Sequence, residues 1–326
     1  MAVGTLQAEP TMVTPILKRE ECAQTESTPA RENPVVITDT IPVVENLSYR
    51  EFVHEYQRYR KPVLIKDATA NWAARNWTLE SLAKKVGHRE VKVRTEAGEH
   101  IRKMEDILPE IAQSTIEHPA VYARNIDVER HLPELWGDVS PRLKYAKPDW
   151  KSSALLPKDF IFPNGLEELF IGGVGASFPR LHIDYWGMDG FVNQMYGRKE
   201  FILISPADTA CVYPDPKEPQ SSLVQDMNHP DLEKFPLFQD ARVQRVMLEP
   251  GDTLYNPGGW WHTTYMPETS ITVITATWHQ YNWKSFMYEY RRRANVCKLH
   301  KATMLAWLAA VGGIHRLHQI CSQVKD

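Results

Sequence analysis

A chain of 326 residues can form one large domain or two ordinary ones and can bury a sizeable core. Hydrophobic residues make up 43% and charged residues 24%, an ordinary soluble globular composition. The formal charge of -3 gives no electrostatic reason to expect a nucleic-acid partner, and Cys22, Cys211, Cys297 and Cys321 are too scattered for a zinc module or a disulfide framework.

Residues 1–33 are rich in Thr, Glu, Pro and Ala without apolar periodicity, and read as a disordered leader with no secretory signal. Pro34-Val35-Val36-Ile37 is the first strand candidate. Ser48 and Glu51 have the spacing of a capping box, with Phe52, Val53 and Tyr56 following at helical intervals. Lys61 to Ile65 reads as a buried strand. Thr78 caps a helix carrying Leu79 and Leu82 that stops at Gly87. Val91–Arg94 alternates as a strand, and Met104–Ile111 reads as a helix. From about residue 166 short strand candidates separated by Gly, Pro, Asn and Asp follow one another: 169–171, 180–184, 191–196, 200–204, 243–248, 253–255 and 271–278. The Pro-broken segment Lys217 to Asp240 reads as a long insertion. Beyond Trp283 the pattern is helical, with Phe286, Tyr290, Val296, Leu299, Met304, Trp307, Leu308 and Val311 as buried candidates. Within it, Arg291-Arg292-Arg293 reads as a solvated face, and Met304–Val311 is too short an apolar run to cross a bilayer. A cytoplasmic protein without a membrane partner is expected.

Two imidazoles and one carboxylate on one face are the set that holds non-haem Fe(II) with positions open for oxygen chemistry. The chain has 12 histidines and three His-x-acid triplets, at His88, His182 and His229, where roughly one or two arise by accident. His88 follows Gly87 at a helix end, where a histidine often only caps carbonyls. His229 sits beside Pro230 in the insertion. His182 and Asp184 lie two apart on an expected strand and so share a face. Downstream, Pro250-Gly251-Asp252 turns into a strand, and Gly258-Gly259 bends the chain again before Trp260-Trp261-His262. That path can return a third ligand to the first two, while the aromatic pair keeps the metal dry. Lys199 enters an apolar strand; it either snorkels to the surface or offers a cation to the distal end of a dicarboxylate cosubstrate.

With these residues in place, the sequence resembles the JmjC-type cupin oxygenases that use Fe(II) and 2-oxoglutarate. The resemblance runs from about Ile41 to Trp283 and is strongest to the small hydroxylase branch that includes the asparaginyl hydroxylase acting on hypoxia-inducible factor. It is carried by His182-Ile183-Asp184, Gly197-Arg198-Lys199, Tyr213-Pro214, Asn228 to Pro236, Pro250-Gly251-Asp252 and Trp260-Trp261-His262. It implies a mainly β fold with flanking helices around a double-stranded β-helix (jelly-roll) core, as a catalytic domain over 34–284 and a helical region over 285–326. His182, Asp184 and His262 would bind iron. Lys199, Tyr122 and Ser177 would bind 2-oxoglutarate, and Tyr185, Trp186 and Trp260 would shape the substrate pocket. It makes the segment around His229 and Asp231 structural. Gly190 and Ala276 stand where the asparaginyl hydroxylase has asparagines, with Asn193 nearby.

The expected function is a dioxygenase using O2 to hydroxylate a C–H bond of a protein side chain or small molecule, with succinate and CO2 as coproducts. Two other readings stay open: an N-methyl demethylase of the same chemistry, and a non-catalytic metal-binding cupin acting as an interaction module. The C-terminal helices either pack across a two-fold axis in a homodimer, as in dimeric relatives, or cap their own barrel.

Overall fold

The computed structural model describes residues 40–95, 98–157, 160, 167–178, 180–227 and 229–323. The expected leader, the strand candidate at Pro34–Ile37, and Cys22 lie outside them.

Ser48 and Glu51 form the capping box that their spacing predicts. Glu51 N donates to the Ser48 hydroxyl at 3.1 Å, and Ser48 N donates to the Glu51 carboxylate at 3.0 Å. The turn continues as a π-helix over Phe52–Gln57, which buries Phe52. Thr78 caps the helix Leu79–Val86 in the same way, with Ser81 as the reciprocal partner.

The described residues form twelve strands in chain order: β1 (Val43–Val44), β2 (Val63–Ile65), β3 (Glu90–Thr95), β4 (Gly98–Lys103), β5 (Ala123–Asp127), β6 (Glu167–Gly172), β7 (Asp189–Tyr196), β8 (Lys199–Ile204), β9 (Val243–Leu248), β10 (Thr253–Asn256), β11 (Trp261–Tyr265) and β12 (Ser270–Thr277). A seven-stranded sheet has the order β1-β2-β10-β7-β12-β6-β5, and a three-stranded sheet has the order β11-β8-β9. All their pairings are antiparallel except β1 with β2. This is a mainly β fold with flanking helices around a jelly-roll core.

Period-two alternation decides what each face of β7 meets. Val192 points to the interior between the sheets, where it packs with Leu254 of its own sheet and Phe201, Leu203 and Leu248 of the other. Phe191 and Met195 point the opposite way, into a core capped by Phe52, Tyr145 and the helices Leu79–Val86 and Met104–Ala112. With both faces covered, β7 is buried from Asp189 to Met195.

The chain closes with the helices Trp283–Arg293 and Lys298–Gln323. Phe286, Tyr290, Leu308 and Val311 pack with Trp150, Trp278 and Trp283 in a separate aromatic cluster, as their spacing predicts. The expectation fails for Val296, Leu299 and Trp307, which are 40%, 78% and 44% exposed. Helical periodicity places Leu299 opposite the face that the aromatic cluster takes and Trp307 on its flank, where the indole N–H donates to Leu155 O at 3.1 Å. Among the described residues no helix is long and apolar enough to cross a membrane.

Candidate metal centre

His182, Asp184 and His262 converge. Their ligand atoms all lie within 4.8 Å of one another. The Asp184 carboxylate reaches both imidazoles, its oxygens 3.7 Å from His182 Nε2 and 3.7 Å from His262 Nε2.

The route to this geometry differs from the expected strand over 180–184. Only an isolated pairing forms there: His182 and His262 exchange backbone hydrogen bonds of 2.9 and 2.8 Å across the free edge of β11. On its other side the segment is zipped to the expected insertion, Ile183 N to Gln220 O at 2.8 Å and Ser222 N to Leu181 O at 2.8 Å. The insertion therefore helps to hold the segment that carries His182 and Asp184. Asp184 then leaves the pairing and starts the turn Tyr185–Gly187.

Each imidazole has one nitrogen committed. His182 Nδ1 lies 3.0 Å from Arg180 O, and His262 Nδ1 lies 3.0 Å from Trp260 O. A carbonyl can only accept, so the His182 Nδ1 carries the proton and its Nε2 lone pair points toward Asp184; the His262 Nδ1 has a second contact, the Asn256 amide nitrogen at 3.2 Å. This is the outer-shell arrangement that fixes the tautomer of a metal-binding histidine. Burial, and then the facing His262, hold His182 far below the usual imidazole range, at about 3, so it is neutral and able to ligate. Phe178 stacks on its ring at 4.0 Å. Donor type, convergence and tautomer fit a ferrous ion on one face.

The turn carrying His262 is pinned by Asp189, a fully buried carboxylate on which sequence reasoning placed no role. It accepts from Gly258 N at 2.9 Å, from His279 Nε2 at 2.6 Å and from the Tyr255 hydroxyl. Burial alone would raise its pKa, but His279, Arg60 and these hydrogen bonds bring it below the usual value. Gly258 itself packs so tightly that a Cβ would lie 2.5 Å from Met188 O.

Lys199 lies in the interior between the sheets. Leu203 of β8 pairs with His262 of β11, and alternation sets Lys199, Phe201 and Leu203 on the same face as that histidine. The Phe201 ring sits 6.4 Å from the His262 ring and 5.7 Å from Lys199 Nζ, so it lies against both. Lys199 is 1% exposed and has no carboxylate at ion-pair distance among the described residues. Its ammonium donates to Tyr122 Oη at 2.9 Å and Thr272 Oγ1 at 3.2 Å, within reach of the Tyr122 and Phe170 rings. Burial brings its pKa down to about 7 and pushes the Tyr122 phenol up.

Tyr122 thus reaches the lysine and Ser177 does not. Ser177 is exposed and bridges to Tyr265 through its backbone. The hydroxyl beside the ammonium belongs to Thr272, which in turn donates to Gln194 Oε1 at 2.9 Å. Asn193, one residue away, faces outward and bonds Thr253 Oγ1 at 2.8 Å and Val273 O at 3.0 Å. Gly190 and Ala276 are paired neighbours in β7 and β12. The alternating apolar pattern of β7 was the signal that could have assigned Gln194 to the inner face.

A cleft of about 870 Å³ opens beside Asp184, lined in part by Arg60, Gly258, Trp260, Lys284 and Tyr288. Trp260 is therefore on the pocket wall, its indole N–H donating to Arg60 O at 2.9 Å. Tyr185 and Trp186 are not among the lining residues. Trp186 adopts a left-handed backbone (φ 65°) and packs against the aromatic cluster of the C-terminal helices. Tyr185 donates to Glu218 at 2.8 Å, under the Arg293 guanidinium. The left-handed turn takes both rings off the line that the sequence suggests.

Residues 49–284 match a family model described as Cupin-like domain. The chain is 30% identical over 246 residues to tRNA wybutosine-synthesizing protein 5 of Danio rerio, covering 72% of this chain and 73% of that protein. The Gallus gallus protein of the same name is 27% identical over 255 residues, covering 74% and 77%. HSPB1-associated protein 1 homolog of Danio rerio is 31% identical over 246 residues, covering 68% of this chain but 52% of the relative, so the chain spans about half of that protein's length. These similarities support a cupin-like, JmjC-type domain without singling out the asparaginyl hydroxylase branch that the motifs resemble. They establish that the chain belongs to the Cupin-like domain family.

Proposed function

We propose that this protein is an Fe(II)- and 2-oxoglutarate-dependent dioxygenase that hydroxylates a C–H bond of a molecule entering the cleft beside Asp184. The observation that carries the reading is a buried ammonium without a carboxylate partner, on the same strand face as an imidazole of a His-Asp-His cluster. Burying an unpaired cation costs several kcal/mol, a cost that an incoming carboxylate offsets.

His182, Asp184 and His262 would hold the metal. The chemistry supplied by ferrous iron in such a site is oxidative decarboxylation of the oxo acid with O2, coupled to oxygen insertion into a C–H bond. Lys199, Tyr122 and Thr272 would bind the distal carboxylate. Phe178, Phe201 and Trp260 would exclude water from the centre, and the cleft would orient the bond to be oxidised. The relatives' names point to tRNA in one case and to an associated protein in the other, and the chemistry requires only a C–H bond delivered through the cleft.

Anaerobic loading with Fe(II), followed by 2-oxoglutarate and air, should give succinate and CO2 in a slow uncoupled reaction. Iron-loaded protein that neither binds 2-oxoglutarate nor forms succinate would leave the non-catalytic cupin as the better reading.

The C-terminal helix has a second apolar face. Leu299, Ile314, Leu317 and Ile320 are all exposed and fall on one side of it, away from Leu308 and Val311. We propose that two copies associate through this face. Sedimentation equilibrium at micromolar concentration should give a dimer, and Leu317→Glu should give a monomer; a wild-type monomer would remove the idea.

A further inference from the structure

The cleft beside Asp184 carries a local charge that the composition conceals. Against a formal charge of -3 for the chain, its walls hold Arg60, Lys61, Lys284 and Arg292, with Asp184 and Glu289 as the opposing carboxylates. Asp184 is directed at the two histidines. Glu289 is held by Arg293 at 2.6 Å, with Arg292 at 3.6 Å. Lys61 and Lys284 are exposed and make no ion pair among the described residues. Arg60 gives its donors to Ser285 Oγ and Gly258 O while its charge acts on the buried Asp189 carboxylate, so Lys61 and Lys284 are the cleft cations that the proposal rests on.

A second observation selects among anions. Tyr59 and Tyr288 line the same cleft and are 59% and 60% exposed. Each ring has a cleft cation above it: Lys61 Nζ is 5.4 Å from the Tyr59 centroid, and Arg292 Cζ is 5.7 Å from that of Tyr288. An acidic peptide would use the cations and leave the ring faces idle. A base stacks on a ring while its phosphate meets the adjacent cation, which is how single strands are held.

We propose that this cleft binds a nucleoside phosphate, either free or within a single-stranded RNA, and delivers it to the metal centre. The proposal rests on the oxygenase reading for what happens after binding, but binding itself can be measured without turnover. Arg292, part of a run that reads as solvated in the sequence, becomes a wall of the site.

Fluorescence anisotropy of the full chain with a labelled single-stranded oligoribonucleotide tests it, with AMP and polyglutamate as competitors. Binding should weaken with salt, with a log–log slope of about -0.7 for each phosphate engaged. The double substitution Lys61→Gln/Lys284→Gln should lower affinity about tenfold and flatten that slope. Tyr59→Ala/Tyr288→Ala should lower affinity at every salt concentration, and circular dichroism checks that both variants fold. Displacement by AMP identifies a free nucleotide as the ligand; a bound oligonucleotide that AMP cannot displace identifies the strand. No binding at low salt, polyglutamate binding more tightly than RNA, or affinity unchanged in both double variants would overturn the proposal. Lost nucleotide binding with intact succinate formation refutes this inference alone, whereas intact binding without succinate formation refutes only the oxygenase reading.

Discussion

Asp184→Ala and His262→Ala should each abolish succinate formation, lowering turnover on the order of a thousandfold or more, because each removes one of three ligands. The two variants should differ in stability. Asp184 is 43% exposed and is not embedded in the hydrophobic core, so its removal should leave the melting temperature nearly unchanged. His262 is 8% exposed and its Nδ1 contacts both Trp260 O and the Asn256 amide, so its removal leaves a small void and buried polar groups short of a partner. A loss of about 1–3 kcal/mol is expected there. Fe(II) titration of both variants separates lost metal from lost fold. Wild-type succinate formation in either would exclude the cluster as the reactive centre.

The second large effect has opposite signs for stability and for binding. Lys199→Met keeps the length of the side chain and removes a buried ammonium that has no carboxylate partner. Without 2-oxoglutarate the variant should be more stable than the wild type, by about 1–4 kcal/mol. The pH dependence follows from the depressed pKa. Between about 7 in the folded protein and the ordinary 10.5, the unfolded chain binds the proton and the folded chain does not. Wild-type stability therefore rises with pH across that window, so the variant's advantage should be fully present below about pH 7 and fade toward pH 10. With 2-oxoglutarate the order should reverse. The oxo acid should raise the wild-type melting temperature by mass action and leave the variant's unchanged, with an affinity loss of about a hundredfold or more. Thermal melts at several pH values, with and without the oxo acid, read all of this. A variant that is less stable at pH 6 and still protected by 2-oxoglutarate would show that Lys199 is structural.

Much of the site can be read from the sequence because its residues stand out from their surroundings. A lysine inside an apolar strand and a histidine after a double-glycine bend are local anomalies, and local anomalies survive without a structure. The convergence of His182 and Asp184 was legible although its expected cause was not, since an edge pairing with β11 replaces a regular strand. What could not be read depends on distant register. Thr272 meets Lys199, and Gly258 meets Asp189, only because β12 and β10 lie on either side of β7. Trp186 stands off the cleft beside Asp184 because a left-handed backbone, rare at a tryptophan, redirects its side chain. In the C-terminal helix, apolar periodicity includes Leu299 without saying which apolar face packs inside.

The three ligands are mounted on different parts of the molecule. Both imidazoles are fastened to the jelly roll by β11 and its edge pairing. The carboxylate belongs to a turn seated on the helix Trp283–Arg293: Gly187 fits so closely there that a Cβ would come 2.8 Å from Ser285, and Trp278 Nε1 donates to Trp186 O at 3.2 Å. The centre therefore stands like a tripod with two feet in the barrel and one on the helical layer. A displacement of that layer would swing the carboxylate leg while the two imidazoles stayed put, so the affinity of the proposed centre for metal would register the position of the C-terminal helices.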